Sequence, residues 1–122
     1  MKHILSIGNE YLEQDNLAIK LAKSLKIPGF KFHIVNEDEV NNFEKPVILD
    51  VVKGLKEIKV FDDVDKFRTV KSVSAHDLDL GFHLKLLKEM GELKDVRIIG
   101  LPQNARLEDM KKSLPIHLKK MS

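Results

Sequence analysis

Two carboxylates and an imidazole, Asp15, Asp50 and His76, give this chain three side chains that could share one metal ion. Two oxygen donors and one nitrogen donor suit a borderline divalent cation and leave coordination positions for water or a substrate. Each residue follows a short apolar run that reads as a strand: Ile4 to Ile7, Val47 to Leu49, and the weaker stretch Thr69 to Val73. In a mostly parallel α/β sheet such strand ends gather at one edge, where these folds bind their ligands. The pattern predicts one site assembled from three distant segments.

Position alone also offers each residue a plainer role. Asp15 suits the N-cap or first turn of the helix that follows it. Asp50 suits a turn, although a carboxylate at that edge must be solvated, hydrogen-bonded or bound to a cation. His76 precedes Asp77, Leu78 and Asp79, so it could fill space while those acids cap a helix. The other histidines, His3, His33, His83 and His117, lack comparable strand-end placement. With no cysteine in the chain, disulfides, thiolate catalysis and thiolate metal sites are excluded. No Ser/His/Asp nucleophilic pattern stands out. The loop from Gly8 to Asp15 holds one glycine and three acids, and it lacks both the Gly-Lys-Ser/Thr and the GxGxxG signatures, so it is a poor phosphate cradle.

The elements that must position these residues follow from periodicity. At 122 residues the chain is long enough for one core, and a single domain spanning 1–122 is expected. A composition 43% hydrophobic and 33% charged is that of a soluble globular protein, and a net charge of +2 supplies no basic field for nucleic acid. No apolar run approaches the ~18 residues of a membrane span, and Met-Lys-His leads into a strand rather than a signal peptide. A cytoplasmic protein without membrane insertion is expected.

After the first strand, Leu17, Leu21 and Leu25 with Ala18 and Ala22 predict a helix from about Asp15 to Lys26, closed by Pro28-Gly29. Phe30, Phe32 and Ile34 alternate as a half-buried strand, followed by an acidic, asparagine-rich turn. Pro46 opens a central strand that should end at Asp50. Lys53-Gly54 reads as a turn into Ile58, Val60 and Phe61, and so short a return favours an antiparallel neighbour. Leu80, Leu84, Leu87 and Met90 build a second helix, and Val96, Ile98 and Ile99 a strand capped by Gly100. Leu107, Met110, Leu114, Leu118 and Met121 line a last helix that Pro115 should kink or split. The alternation predicts an α/β three-layer sandwich, with a twisted, mostly parallel sheet of about five strands flanked by helices.

Order and spacing add a resemblance that no single residue carries. A strand followed by Gly8-Asn9, then Leu12 and Asp15, a central strand ending in Asp50, and Ser74-Ala75-His76 before a helix resemble the hydrogenase maturation endopeptidases. Gly100-Leu101-Pro102-Gln103 is similar to the Gly-Ile-Gln-Pro turn after that family's late strand. The chain departs from the family at Gln14, Asn16 and Ala18, where a second acid and glycines are usual. It departs again at Asn36-Glu37-Asp38-Glu39, which replaces a glycine-rich segment.

The resemblance implies an endopeptidase that removes the C-terminal extension of a nickel-loaded large-subunit precursor of a nickel-iron hydrogenase. Asp15, Asp50 and His76 would contact the metal, with Asp15 or Asp50 as catalytic base and Gly8 and Asn9 binding substrate. The nickel would arrive with the precursor, so no permanent cofactor is expected. The alternative is a non-catalytic module of the same fold that recognises a metal-centre precursor without cutting it.

Overall fold

In a computed structural model of the chain, the described residues are 2–7, 16–35, 37–43, 45–52, 54–62 and 97–121. They form strands β1 (Lys2–Ser6), β2 (Phe30–Ile34), β3 (Val47–Val52), β4 (Lys59–Phe61) and β5 (Arg97–Pro102), with helices α1 (Leu17–Ser24) and α2 (Leu107–Met121) and a 3-10 segment over Glu37–Asn42. The sheet runs β2-β1-β3-β5-β4. Every neighbouring pair is parallel except β4 with β5. The short return does reverse direction, but β4 is not the neighbour of β3 that it suggests, because β5 lies between them. The stretch Thr69 to Val73 and the helix over Leu80 to Met90 lie outside the described residues.

Alternation along the strands divides the buried side chains into two layers. On one face, Ile4, Val47, Leu49, Val51, Ile99 and Leu101 meet Leu17, Ala18 and Leu21 of α1 and Met110, Leu114 and Leu118 of α2. On the other, Leu5, Ile7, Ile48, Val52, Phe61 and Ile98 pack with Val40 of the 3-10 segment. β3 is buried at all six positions because both of its faces are covered, with β5 paired along its whole length and β1 along its first half.

Helix α1 is shorter than its periodicity predicts. Asn16 occupies the N-cap position without a side-chain cap, and Leu25 at the C-cap turns extended. Gly29 then takes a φ of +87°, a backbone shape that favours glycine, and its carbonyl accepts the Lys2 amide at 2.9 Å, joining the turn to the start of β1.

Helix α2 runs unbroken through Pro115 rather than splitting there. The proline leaves the Lys111 carbonyl without its usual amide donor, but Leu114 and Leu118 beside it are completely buried. Tertiary packing of that apolar stripe holds the helix where local propensity would end it. On the edge strand β2, Phe30 and Phe32 pack against the first core, while Ile34 at the strand's end is 49% exposed.

Candidate functional site

The chain leaves β1 toward β2 on one side, while β3 lies against β1 on the other. This reversal between β1 and β3 is the topological switch point of an open α/β sheet, beyond which such folds hold their ligands. The last paired residues of β1 and β3 are Ser6 and Leu49, and the Ile7 amide donates to the Leu49 carbonyl at 2.9 Å. Asp50 is the next residue, on the rung where β1 has ended and β3 has not.

Asp50 therefore does not follow the strand as its polarity suggests; it lies within it. Val51 and Val52 continue the ladder against Leu101 and Pro102, and the strand stops only before Gly54. The cause is packing on both faces, since Val51 joins the helix-covered core and Val52 the opposite one. Asp50 shares its face with Ile48 and Val52 and is 3% exposed. The residue is engaged elsewhere, but its Oδ2 oxygen is buried and accepts no hydrogen bond from the described residues. A carboxylate so far from water strongly favours a neighbouring positive charge.

Directly across the ladder from Asp50 is Gly100. A Cβ there would meet Leu55 Cδ1 at 2.9 Å and Phe61 Cε2 and Val52 Cγ2 at 3.1 Å. The missing side chain lets these three close over Gly100, the ladder partner of Asp50. Gly100 does not cap its strand, because β5 continues through Pro102, and the turn resembling the family's late one begins only at Gln103.

Asp15, His76, Gly8 and Asn9 lie outside the described residues, so Asp50 is the one proposed ligand whose placement is described. The N-cap of α1 is Asn16 and its first turn contains no acid. Among the described residues no group of three or more histidines, cysteines or acids could hold a metal ion.

Two features escaped sequence reasoning. Ser6 Oγ is buried and has no hydrogen-bond partner among the described residues. It belongs to the opposite face from Asp50, so it adds nothing to that site. The second is a histidine pair: His3 Nδ1 lies 2.8 Å from His33 Nε2 across the β1–β2 ladder, with the Phe43 ring centroid 5.8 Å from His3 and 5.0 Å from His33. Burial first, then the charges of His3 and Lys31, holds the His33 imidazole below its ordinary pKa of 6.5. Their alternation in the two strands was the available signal, but only the register brings residues 30 apart together.

The fold has known counterparts. The hydrogenase maturating endopeptidase HybD from Escherichia coli superposes with a TM-score of 0.67 at 15% identity, covering 99% of this chain and 91% of that one. The endopeptidase HycI from Escherichia coli gives a TM-score of 0.70 at 18% identity, over 98% and 90% of the two chains. A hydrogenase 3 maturation protease gives 0.62 at 17% identity, over 100% and 92%. No curated protein matches the chain by sequence. The family model of the hydrogenase maturation proteases, HycI, matches residues 32–122, a span that contains Asp50, His76 and both ends of the Gly100 rung. The chain therefore belongs to the hydrogenase maturation protease family, a family of peptidases.

Proposed function

We propose that this protein is a cytoplasmic endopeptidase that removes the C-terminal extension from the nickel-loaded precursor of a nickel-iron hydrogenase large subunit. The observation that carries the reading is a desolvated carboxylate, Asp50, held on β3 at the switch point of a chain whose family is that of the maturation proteases. The nickel is part of the substrate, so the protease requires no resident metal.

In this reading Asp15, Asp50 and His76 are the contacts to the substrate's metal, and the Gly8-Asn9 turn receives the precursor chain. Asp50 suits the task because both neighbours of its strand fix its backbone while its surroundings exclude water. A negative charge in that setting attracts a divalent cation more strongly than the same charge in solvent. Hydrolysis needs a water to lose a proton as it attacks the scissile carbonyl, and a carboxylate of the pair Asp15 and Asp50 accepts it. The proton then passes to the leaving amine.

The test is to incubate the protein with nickel-loaded and with nickel-free precursor and to weigh both products. Shortening of the loaded precursor alone is the expected result. Binding of the loaded precursor without cleavage would overturn the peptidase assignment and identify a recognition module. Equal cleavage of both forms would overturn the role of the metal.

A further inference from the structure

We propose that β2 is a docking edge for a second copy of this chain, the two β2 strands pairing antiparallel about Phe32 and joining two sheets into one. The proposal rests on the strand's own pairing and not on the activity proposed above.

Among the described residues β2 has β1 on one side and no strand on the other. Its backbone direction is fixed at both ends. The Gly29 carbonyl accepts the Lys2 amide at 2.9 Å and the Val35 amide donates to the Ser6 carbonyl at 3.2 Å, so the odd-numbered residues turn toward β1. Alternation then points the amides and carbonyls of Phe30, Phe32 and Ile34 away from the sheet. The Phe30 amide bonds back to the Ile27 carbonyl at 3.1 Å, whereas the outward groups of Phe32 and Ile34 make no hydrogen bond among the described residues.

Such an edge is normally blunted by a short strand, a proline, a bulge or a lysine. The opposite edge, β4, follows that rule, with three residues that begin on Lys59. β2 instead has five residues, holds no proline and keeps an unbroken register with β1. Its apolar side chains are incompletely covered, since Phe30 and Phe32 are half-buried and Ile34 is exposed.

The strand is complementary to itself in one register. Centred on Phe32, antiparallel pairing sets Phe32 against Phe32, Phe30 against Ile34 and Lys31 against His33. Phe32 of each copy donates to Phe32 of the other, and Ile34 of each donates to the outward Phe30 carbonyl. Ile34 gains an aromatic neighbour, and Lys31 meets an imidazole that burial and nearby charge hold toward its neutral form. Centring the pair on Lys31 would oppose two lysines, which is unfavourable, and centring it on His33 would leave Phe30 unpaired. Five paired residues span about 17 Å, well short of a permanent dimer interface, so the association is reversible and depends on concentration.

The experiment follows the full chain by sedimentation equilibrium over about a hundredfold range of concentration, with amide hydrogen exchange by NMR at both ends of that range. The expected result is a reversible dimer in which the Phe32 and Ile34 amides become protected as concentration rises, while the His33 and Val35 amides, turned toward β1, are protected throughout. Ile34→Pro removes an outward amide and no bond to β1, a change that an edge strand tolerates. Symmetry makes that two bonds per dimer, so dimerisation should weaken about tenfold or more. His33→Lys sets lysine against lysine and should weaken it too. Adding Lys31→Glu to that variant should restore the dimer by opposing unlike charges, and failure to do so would overturn the register. A wild type that stays monomeric at the highest concentration would overturn the proposal, as would a dimer indifferent to Ile34→Pro. Phe32 and Ile34 amides protected only when nickel-loaded precursor is added would overturn it as well, and would assign the edge to an extended segment of the substrate.

Discussion

Replacing Gly100 by alanine tests whether the rung beside Asp50 is as tightly closed as its neighbours indicate. Carbon atoms in ordinary contact sit about 3.5–4.0 Å apart, whereas the new methyl would lie 2.9 Å from Leu55 Cδ1 and 3.1 Å from both Phe61 Cε2 and Val52 Cγ2. Leu55 is half-buried and its terminal methyl can turn away. Phe61 and Val52 are buried, and they yield only if β3, β4 or β5 shifts. Overpacking of this kind costs about 1–3 kcal/mol, and the entropy lost by replacing a strand glycine returns about 0.5–1 kcal/mol. The net expectation is a loss of up to about 2.5 kcal/mol. With an unfolding entropy of about 2.1 cal/mol/K per residue over 122 residues, that is a fall in Tm of up to about 10 °C. Because Gly100 and Asp50 are ladder partners, a strand shift that relieves the clash also displaces the acid. Processing of nickel-loaded precursor by Gly100→Ala should therefore fall even well below its melting temperature. Thermal melts followed by circular dichroism, with cleavage measured at 25 °C or so, provide the assay. A variant that melts at or above the wild type would refute the closed packing of this rung.

Three further outcomes are expected. Asp50→Asn keeps the size of the side chain but removes its charge and basicity, so cleavage should drop by about 10²-fold or more, and unchanged cleavage would exclude Asp50 from the chemistry. Pro115→Ala restores an amide facing the Lys111 carbonyl in the middle of α2 and should raise stability by about 1–3 kcal/mol, read as a higher Tm; a lower Tm would mean that the proline ring itself packs usefully. His33 has its pKa lowered in the folded protein, chiefly by burial, so the unfolded chain binds the proton more readily. Its contribution is complete above the ordinary value of 6.5 and is lost as pH falls through 6.5 toward the lower folded value. The decline in Tm over that window should be smaller in His33→Gln, and an identical decline would clear His33 of responsibility.

The sequence made the parallel sheet legible because β3 opens on the apolar run Val47-Ile48-Leu49 after Pro46, and the short connection to β4 pointed to an antiparallel strand, although its partner is β5 rather than β3. Its polarity misled in one place twice over. Asp50 reads as the end of β3 and Gly100 as the end of β5, yet both strands continue for two more residues. These two residues are partners on one rung, and the pairs Val51 with Leu101 and Val52 with Pro102 extend both strands together. Single-strand reasoning sees an acid and a glycine, each a plausible stop; only the pairing reveals that neither strand can end without the other. The histidine pair was hidden for the same reason, since its register belongs to two strands separated by a helix. Pro115 reversed the usual weight of local preference, because the leucines around it are buried so completely.

The in-strand position of Asp50 changes what the residue can do. An aspartate in a turn would be solvated and free to change rotamer, and it would exchange a cation for water at little cost. Asp50 is instead carried by a backbone that is paired to β5 at its own rung and to β1 one rung earlier, with its side chain in a buried layer. In the reading proposed above, this fixed backbone would spare the substrate's cation the cost of ordering the acid. The pairing of Val51 with Leu101 and Val52 with Pro102 is what carries the acid within the sheet rather than at its end.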